Sequence, residues 1–418
     1  MKDQQLSGQG TTRARDLTQV ATVLDRVYAW SRAQNYRGFN KHDGLNSPLL
    51  RTLLGWGKWP RILAIQGVTR FPVNLRPHLL VPKTFNPKGL ALFARGLFDR
   101  YRTEGDPAYL AEAETLLELL WTLRATGNWS GDCWGYQYPW QDLGFFSPAG
   151  TPNAVVTSFV CTAFLDGYEM TGKAAYLDTV ARSTAFFLRD LRILKDQTDE
   201  LCLSYMPLPM RMRVLDVSIL IGAVLARHAQ LSGDRRHLPV AYRLTAYVVN
   251  RQTPYAAWFY TDPPGDSPIR HDNYHTGFIL DALSEYMDST GDHIWQSVHD
   301  GGMDYYRNHL FSPDGAPRWM SNSEYPHDIH GAAQGILTFS RSGGADLDLA
   351  WRIANWALGR MYDPTGRFYY QEMRGYRKRF TLLRWCNAWM ARALAQLLRA
   401  QVGPKAITSA GTPNSAGI

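Results

Sequence analysis

The strongest constraint on this chain is a degenerate repeat: an apolar-periodic segment, a short turn built on glycine, then a second such segment. The turns read TEGDPAYL from Thr103, TGKAAYL from Thr171, SGDRRHL from Ser232, TGDHIW from Thr290 and SGGADLDL from Ser342. Their glycines, Gly105, Gly172, Gly233, Gly291 and Gly344, stand 53 to 67 residues apart. Glycine reaches the left-handed conformation that ends a helix without a steric cost. Val156, Phe159, Val160, Ala163 and Phe164 recur at helical spacing on one flank, as do Phe278, Leu280, Ala282 and Tyr286 more loosely. Hairpins are therefore expected near 89–123, 156–192, 216–251, 275–310 and 329–362. A last helix near 382–400 can pair with an N-terminal helix near 15–34 as the sixth hairpin and close a ring. The expectation is a single all-α domain over 15–402, with disorder over the polar, apolar-poor ends 1–14 and 403–418.

A ring of hairpins has two unlike ends. The glycine turns mark the inert one. The connections between hairpins, near 124–155, 193–215, 252–274, 311–328 and 363–381, gather at the other and exceed the usual 2 to 8 residues between helices. With 13% aromatic residues and 14 tryptophans in 418 residues, these loops are too aromatic for disorder and read as functional.

The first loop, GDCWGYQYPWQDLGFF, sets Trp134, Tyr136 and Trp140 beside Asp132, Gln137 and Gln141. Flat aromatic faces with nearby amides and carboxylates suit a sugar, whose C–H face stacks and whose hydroxyls take directed hydrogen bonds. The same aromatics could also plug the barrel mouth as core. The third loop ends in RHDNYHTGF, with Asp272, Asn273 and His275, and the fourth in EYPHDIHGAAQG, with His327, Asp328, His330 and Gln334. Asp272 and Asp328 hold equivalent places before an inner helix, where a capping role competes with a chemical one. As a carboxylate pair they suit acid/base work at a glycosidic bond. The second loop offers Tyr205, and the fifth Tyr370 and Arg374; Arg384 and Trp385 follow at the start of the last helix. A HxxH pair, His327 and His330, without a third ligand predicts no metal, and no cofactor is expected.

A net charge of +8 suits an anionic partner, yet no nucleic-acid-binding motif accompanies it. P-loop, GxGxxG, GxSxG, HExxH and DDxxD patterns are missing. Cys133, Cys161, Cys202 and Cys386 are too dispersed for a zinc ribbon or a disulfide framework, and read as reduced. Neither a signal peptide nor an apolar run of ~20 residues is evident, so the chain is expected to be cytoplasmic, without a transmembrane segment.

Several segments together, among them YRGFNKHDGLNSPLL, NLRPHLLVPKTFNPKGLALF, CWGYQYPWQ, HDNYHTGFILDAL, HDIHGAAQGI and LRWCNAWM, resemble a family encoded with surface-polysaccharide and glycoconjugate assembly enzymes. The resemblance covers about residues 28 to 400. It implies the six-hairpin glycosidase-like (α/α)6 barrel and, with it, carbohydrate chemistry. The expected activity is glycoside hydrolysis of a glycan or lipid-linked saccharide, with Asp272 and Asp328 as acid and base. The alternatives are a uronate lyase or C5-epimerase, in which His275, His330 or Tyr205 moves a proton and Arg384 or Arg374 neutralises the carboxylate, and a glycan-binding subunit without turnover. The partner is an oligosaccharide or polysaccharide, acidic or lipid-linked.

Overall fold

The computed structural model of the protein describes residues 2–403, with side chains from Leu17 onward. The disorder expected over 403–418 falls outside those residues but for Gly403, whereas 2–14, where disorder was also expected, belong to the backbone of the first helix.

Helices α1 (Lys2–Ala33), α2 (Pro48–Leu54) and α3 (Lys58–Arg70) come first. Five hairpins follow: α4 (Pro87–Glu104) with α5 (Pro107–Thr122), α6 (Ala154–Thr171) with α7 (Ala174–Ala185), α8 (Leu215–Ser232) with α9 (Leu238–Val249), α10 (Asn273–Thr290) with α11 (Gln296–His309), and α12 (Ile329–Ser342) with α13 (Asp346–Arg360). The last helix is α14 (Trp389–Val402). Even-numbered helices from α4 to α14 form the inner ring, each packed on the next, and α14 returns to α4. Helix α1 packs on α14 from outside, as the sixth-hairpin expectation requires.

Local chemistry sets the boundaries. Asn153 Oδ1 accepts the Val156 amide at 2.8 Å to start α6, and Gly172, at φ +68°, ends it. Gly105, Gly233 and Gly291 end α4, α8 and α10 in the same left-handed conformation. At the fifth turn Gly343 takes the cap and Gly344 follows it, both with positive φ, one residue earlier than the repeat predicts. The core runs along the inner helices through Leu97, Val160, Ile221, Leu280, Ile336 and Leu394, all buried. Cys133, Cys161, Cys202 and Cys386 are buried free thiols.

Two features depart from the sequence reading. Residues 43–70, for which no helix was expected, fold into a helical turn (Asp43–Asn46), α2 and α3 that lie across the loop end. Buried Arg76 clamps this lid through Asp43 at 2.7 Å and the Asn40 carbonyl at 2.8 Å, and Lys378 donates to the Thr69 carbonyl at 3.2 Å. The lid has its own small core, Leu45, Ala64 and Ile65, against which Trp140 packs. The second departure is at the glycine-turn end, which is not featureless. A cavity of about 100 Å³ at the barrel centre reaches towards it, lined by Arg95, Arg227, Glu285, Arg341 and Arg392 among others. Its charges are paired, with Arg95 and Arg227 on Asp166 at 2.7 and 2.6 Å and Arg341 on Glu285 at 2.8 Å. Among the described residues no helix is long and apolar enough to cross a membrane.

Candidate active site

Every inner helix begins at the loop end, so residues of its first turn converge on the barrel mouth. Lys88 comes from α4, Asp216 from α8, His275 from α10 with its cap Asp272, and His330 from α12 with its cap Asp328. Arg384 comes from the π-helical turn Arg384–Ala388 that leads into α14. Six helix N-termini facing one space add a positive potential there.

Asp272 Oδ2 accepts from the His275 amide at 3.4 Å and from its ring Nδ1 at 2.9 Å. This bond fixes the tautomer and leaves Nε2 for the cleft. The His275 side chain is 16% exposed and lies between Tyr260 and Tyr274, ring centroids 4.4 and 4.2 Å away. Asp328 is more fully engaged. Its Oδ1 accepts from the His330 amide at 2.9 Å and Trp385 Nε1 at 2.7 Å, and its Oδ2 from Gln371 Nε2 at 2.8 Å. A three-stranded sheet supplies Gln371, with Gln371–Glu372 lying between His327–Asp328 and Arg377–Lys378. Burial pushes the Asp328 carboxyl up, against the opposing charge of Lys41 and these donors.

Asp216 is buried with Oδ1 unpartnered. Burial raises its carboxyl, opposed by the nearby charges of His275 and Lys88. His330 is buried with both ring nitrogens unpartnered, stacked on Tyr274 at 4.5 Å and against Trp389 at 4.4 Å. Burial drives its pKa well down, so the ring is neutral.

Three basic side chains occupy the same space: Lys41 over Trp385 at 3.8 Å, Lys88 over Phe159 at 3.7 Å, and Arg384 over Trp385 at 4.8 Å. Among the described residues none of them has an ion-pair partner within 4.0 Å. Burial pulls Lys41 down to about 8 and Lys88 well down. The wall above is aromatic: Tyr136 stacks on Tyr138 at 5.3 Å, and Trp140 packs on Tyr205 at 6.1 Å and on His42 at 5.4 Å. Burial raises Tyr205, Tyr260 and Tyr274 well above the ordinary phenol, so they keep their protons.

The structure thus brings together Asp272, His275, Asp328, His330, Tyr205, Tyr136, Trp140, Arg384 and Trp385, with Tyr370 buried behind Trp385. Gln137 sits half-buried between Tyr136 and Tyr138. Other expected residues lie elsewhere. Trp134 is core, its Nε1 donating to the Leu120 carbonyl, and Asp132 pairs with Arg124 and Arg182. Gln141 braces its own loop, and Asn273 holds the Leu310 carbonyl. His327 bonds the Pro317 carbonyl, Gln334 bonds Asp281 beside the central cavity, and Arg374 is exposed at a hairpin turn. Sequence reasoning missed Lys41, His42, Lys88, Asp216, Tyr260 and Tyr274. Lys88 and Asp216 carried a usable signal, a charge in the first turn of an inner helix just as in the Asp272 and Asp328 segments.

No family model matches the chain, and no curated protein matches it by sequence. Solved structures do. Cellobiose 2-epimerase from Bacillus thermoamylovorans is 12% identical at a TM-score of 0.61, over 77% of this chain and 90% of its own. A GH76 α-mannanase from Bacteroides thetaiotaomicron is 13% identical at 0.56, over 75% and 85%. An unsaturated glucuronyl hydrolase specific for heparin is 12% identical at 0.56, over 77% and 87%. At such identities the likeness is one of fold: the protein is a single-domain, six-hairpin (α/α)6 barrel.

Proposed function

We propose that the protein is a carbohydrate-active enzyme that moves a proton at a sugar carbon beside a carboxylate, as a uronate C5-epimerase or lyase does, with His275 as base. One observation carries this reading: an Asp272-braced imidazole opens to an aromatic cleft that also holds a buried Arg384 and a half-buried Lys41 without carboxylate partners. Asp328, by contrast, is a buried cap with both oxygens spent on hydrogen bonds, and Asp272 is a buried cap that spends Oδ2 on His275. A carboxylate held by Arg384 and Lys41 makes the adjacent C–H more acidic, because the charge of the carbanion spreads onto neutralised oxygens. His275 Nε2 takes the proton. Epimerisation returns a proton on the opposite face; elimination expels the neighbouring glycosyl oxygen, which receives one from a protonated tyrosine. In this reading Tyr205, Tyr260 or Tyr274 gives that proton, and Tyr136 and Trp140 stack on sugar rings.

Asp216 favours a second reading, glycosidic hydrolysis. Burial pushes the Asp216 carboxyl up, in the direction a general acid needs, and Asp272 is a second carboxyl group at the same mouth, the pairing used at a glycosidic bond. Incubation with uronate-containing oligosaccharides in deuterated water separates the readings. Deuterium at C5 without cleavage marks epimerisation, an ultraviolet-absorbing unsaturated uronate marks elimination, and a new reducing end with water added and no unsaturation marks hydrolysis. His275→Gln is expected to lower turnover by about 10²- to 10⁴-fold. Full turnover in that variant sinks the assignment; a wild type without turnover, whose glycan affinity survives in Asp272→Asn and Asp328→Asn, supports a binding subunit.

A further inference from the structure

The lid has an outer face that the barrel does not use. Trp56 is 77% exposed, Leu53 68%, Trp59 67% and Leu63 63%, and Leu49, Phe71 and Val73 are exposed beside them. Helix α2 buries no residue fully. Phe146, also exposed, extends the patch from the first long loop, with Arg61 stacked on its ring at 4.1 Å. Large apolar side chains this crowded and this exposed mark an interaction surface rather than scatter.

Charge identifies the occupant. Between Asp43 and Asp99 the sequence contains no aspartate or glutamate, while Arg51, Lys58 and Arg70 of α2 and α3 are exposed. Lys58 reaches over the Trp59 ring at 5.5 Å, so a cation and an indole share one spot. Tryptophan favours the boundary between headgroups and acyl chains, and arginine and lysine favour anionic headgroups. We infer that α2 and α3 dock the protein on an anionic lipid bilayer, with Leu53, Trp56, Trp59 and Leu63 inserted at the headgroup level and the basic residues on lipid phosphates.

The inner side of the lid roofs the cleft, because Trp140 packs on its small core and His42 stacks on Trp140. A saccharide carried on a lipid anchor would thus meet the mouth at the bilayer surface. That extension to a lipid-linked substrate rests on the saccharide reading above; the docking itself does not.

Co-sedimentation of the full-length protein with vesicles tests the docking without any turnover assay. Phosphatidylcholine vesicles containing phosphatidylglycerol should bind the protein, and salt should weaken the binding. Arg51→Gln and Lys58→Gln should each cost about fivefold in partitioning. The double variant Trp56→Ala, Trp59→Ala should bind at least about tenfold more weakly, with wild-type circular dichroism and Tm because both side chains are exposed. Absence of binding, or binding that the double variant retains, overturns the proposal. So does a lipid-free dimer that the same double variant dissociates, since a second copy would then be the occupant.

Discussion

Lys41 decides how the cleft responds to pH. Burial among aromatic rings pulls it down to about 8, against the pull of Asp328 and Asp272 in the other direction. If it helps hold an anionic substrate, kcat/KM falls above about pH 8. Lys41→Arg should remove that alkaline limb, because a guanidinium stays charged. Stability has the opposite sign. An unfolded lysine keeps its proton to 10.5, so between about 8 and 10.5 the unfolded state binds more protons and stability rises with pH. The Tm of wild type relative to Lys41→Met should therefore climb across that window. No sequence pattern pointed to Lys41, because its surroundings come from Trp385 at 3.8 Å and Trp319 at 5.7 Å, hundreds of residues away. His275 was legible only in part: RHDNYHTGF puts Asp272 three residues before it, within reach of its ring, but does not show that the ring faces the cleft.

The hairpins were legible because their signals are local. Apolar spacing marks the helix, and a left-handed glycine ends it. The glycines are not equivalent, however. Gly172 has open space where a Cβ would stand, so Gly172→Ala should cost only the strain of its φ of +68°, about 1 kcal/mol. At Gly366, with φ +94°, an added Cβ would run into the Arg26 carbonyl of α1, so Gly366→Ala adds a backbone clash. It should cost more than about 3 kcal/mol, measured by denaturant unfolding. The second long loop is pinned by another device. Burial would raise Glu200, but Arg251 at 2.6 Å, Lys195 and Asn250 hold it down to about 2. Its stabilisation is thus complete above the usual glutamate range and is lost as pH falls towards 2. Glu200→Gln should unfold more easily than wild type at pH 7 and converge with it at low pH. Helices α2 and α3 escaped detection for the converse reason: α2 buries no residue fully, and the short buried stripe of α3, Ala64, Ile65 and Val68, is masked by the large apolar residues Trp59 and Leu63 that face outward.

Closure of the ring is a property of the whole molecule. Asp99 of α4, buried, pairs with Arg392 and Arg399 of α14, joining helices far apart in the chain. Asp99→Asn leaves the buried Arg392 uncompensated and should cost about 3 to 5 kcal/mol, read as a lowered Tm. The bilayer face and the cleft roof are likewise two sides of one lid. By itself the sequence determined the helical hairpins, their turns, and which end of the ring carries aromatic, acidic and histidine loops, because helix periodicity, capping and composition act over a few residues. Only the tertiary structure decided which side chains reach the cleft. Trp134, Asn273 and His327 face core or backbone partners, whereas Lys41, Lys88 and Asp216 turn inward. Side-chain direction and desolvation depend on what the rest of the ring brings alongside, and that is set by packing between residues remote in sequence.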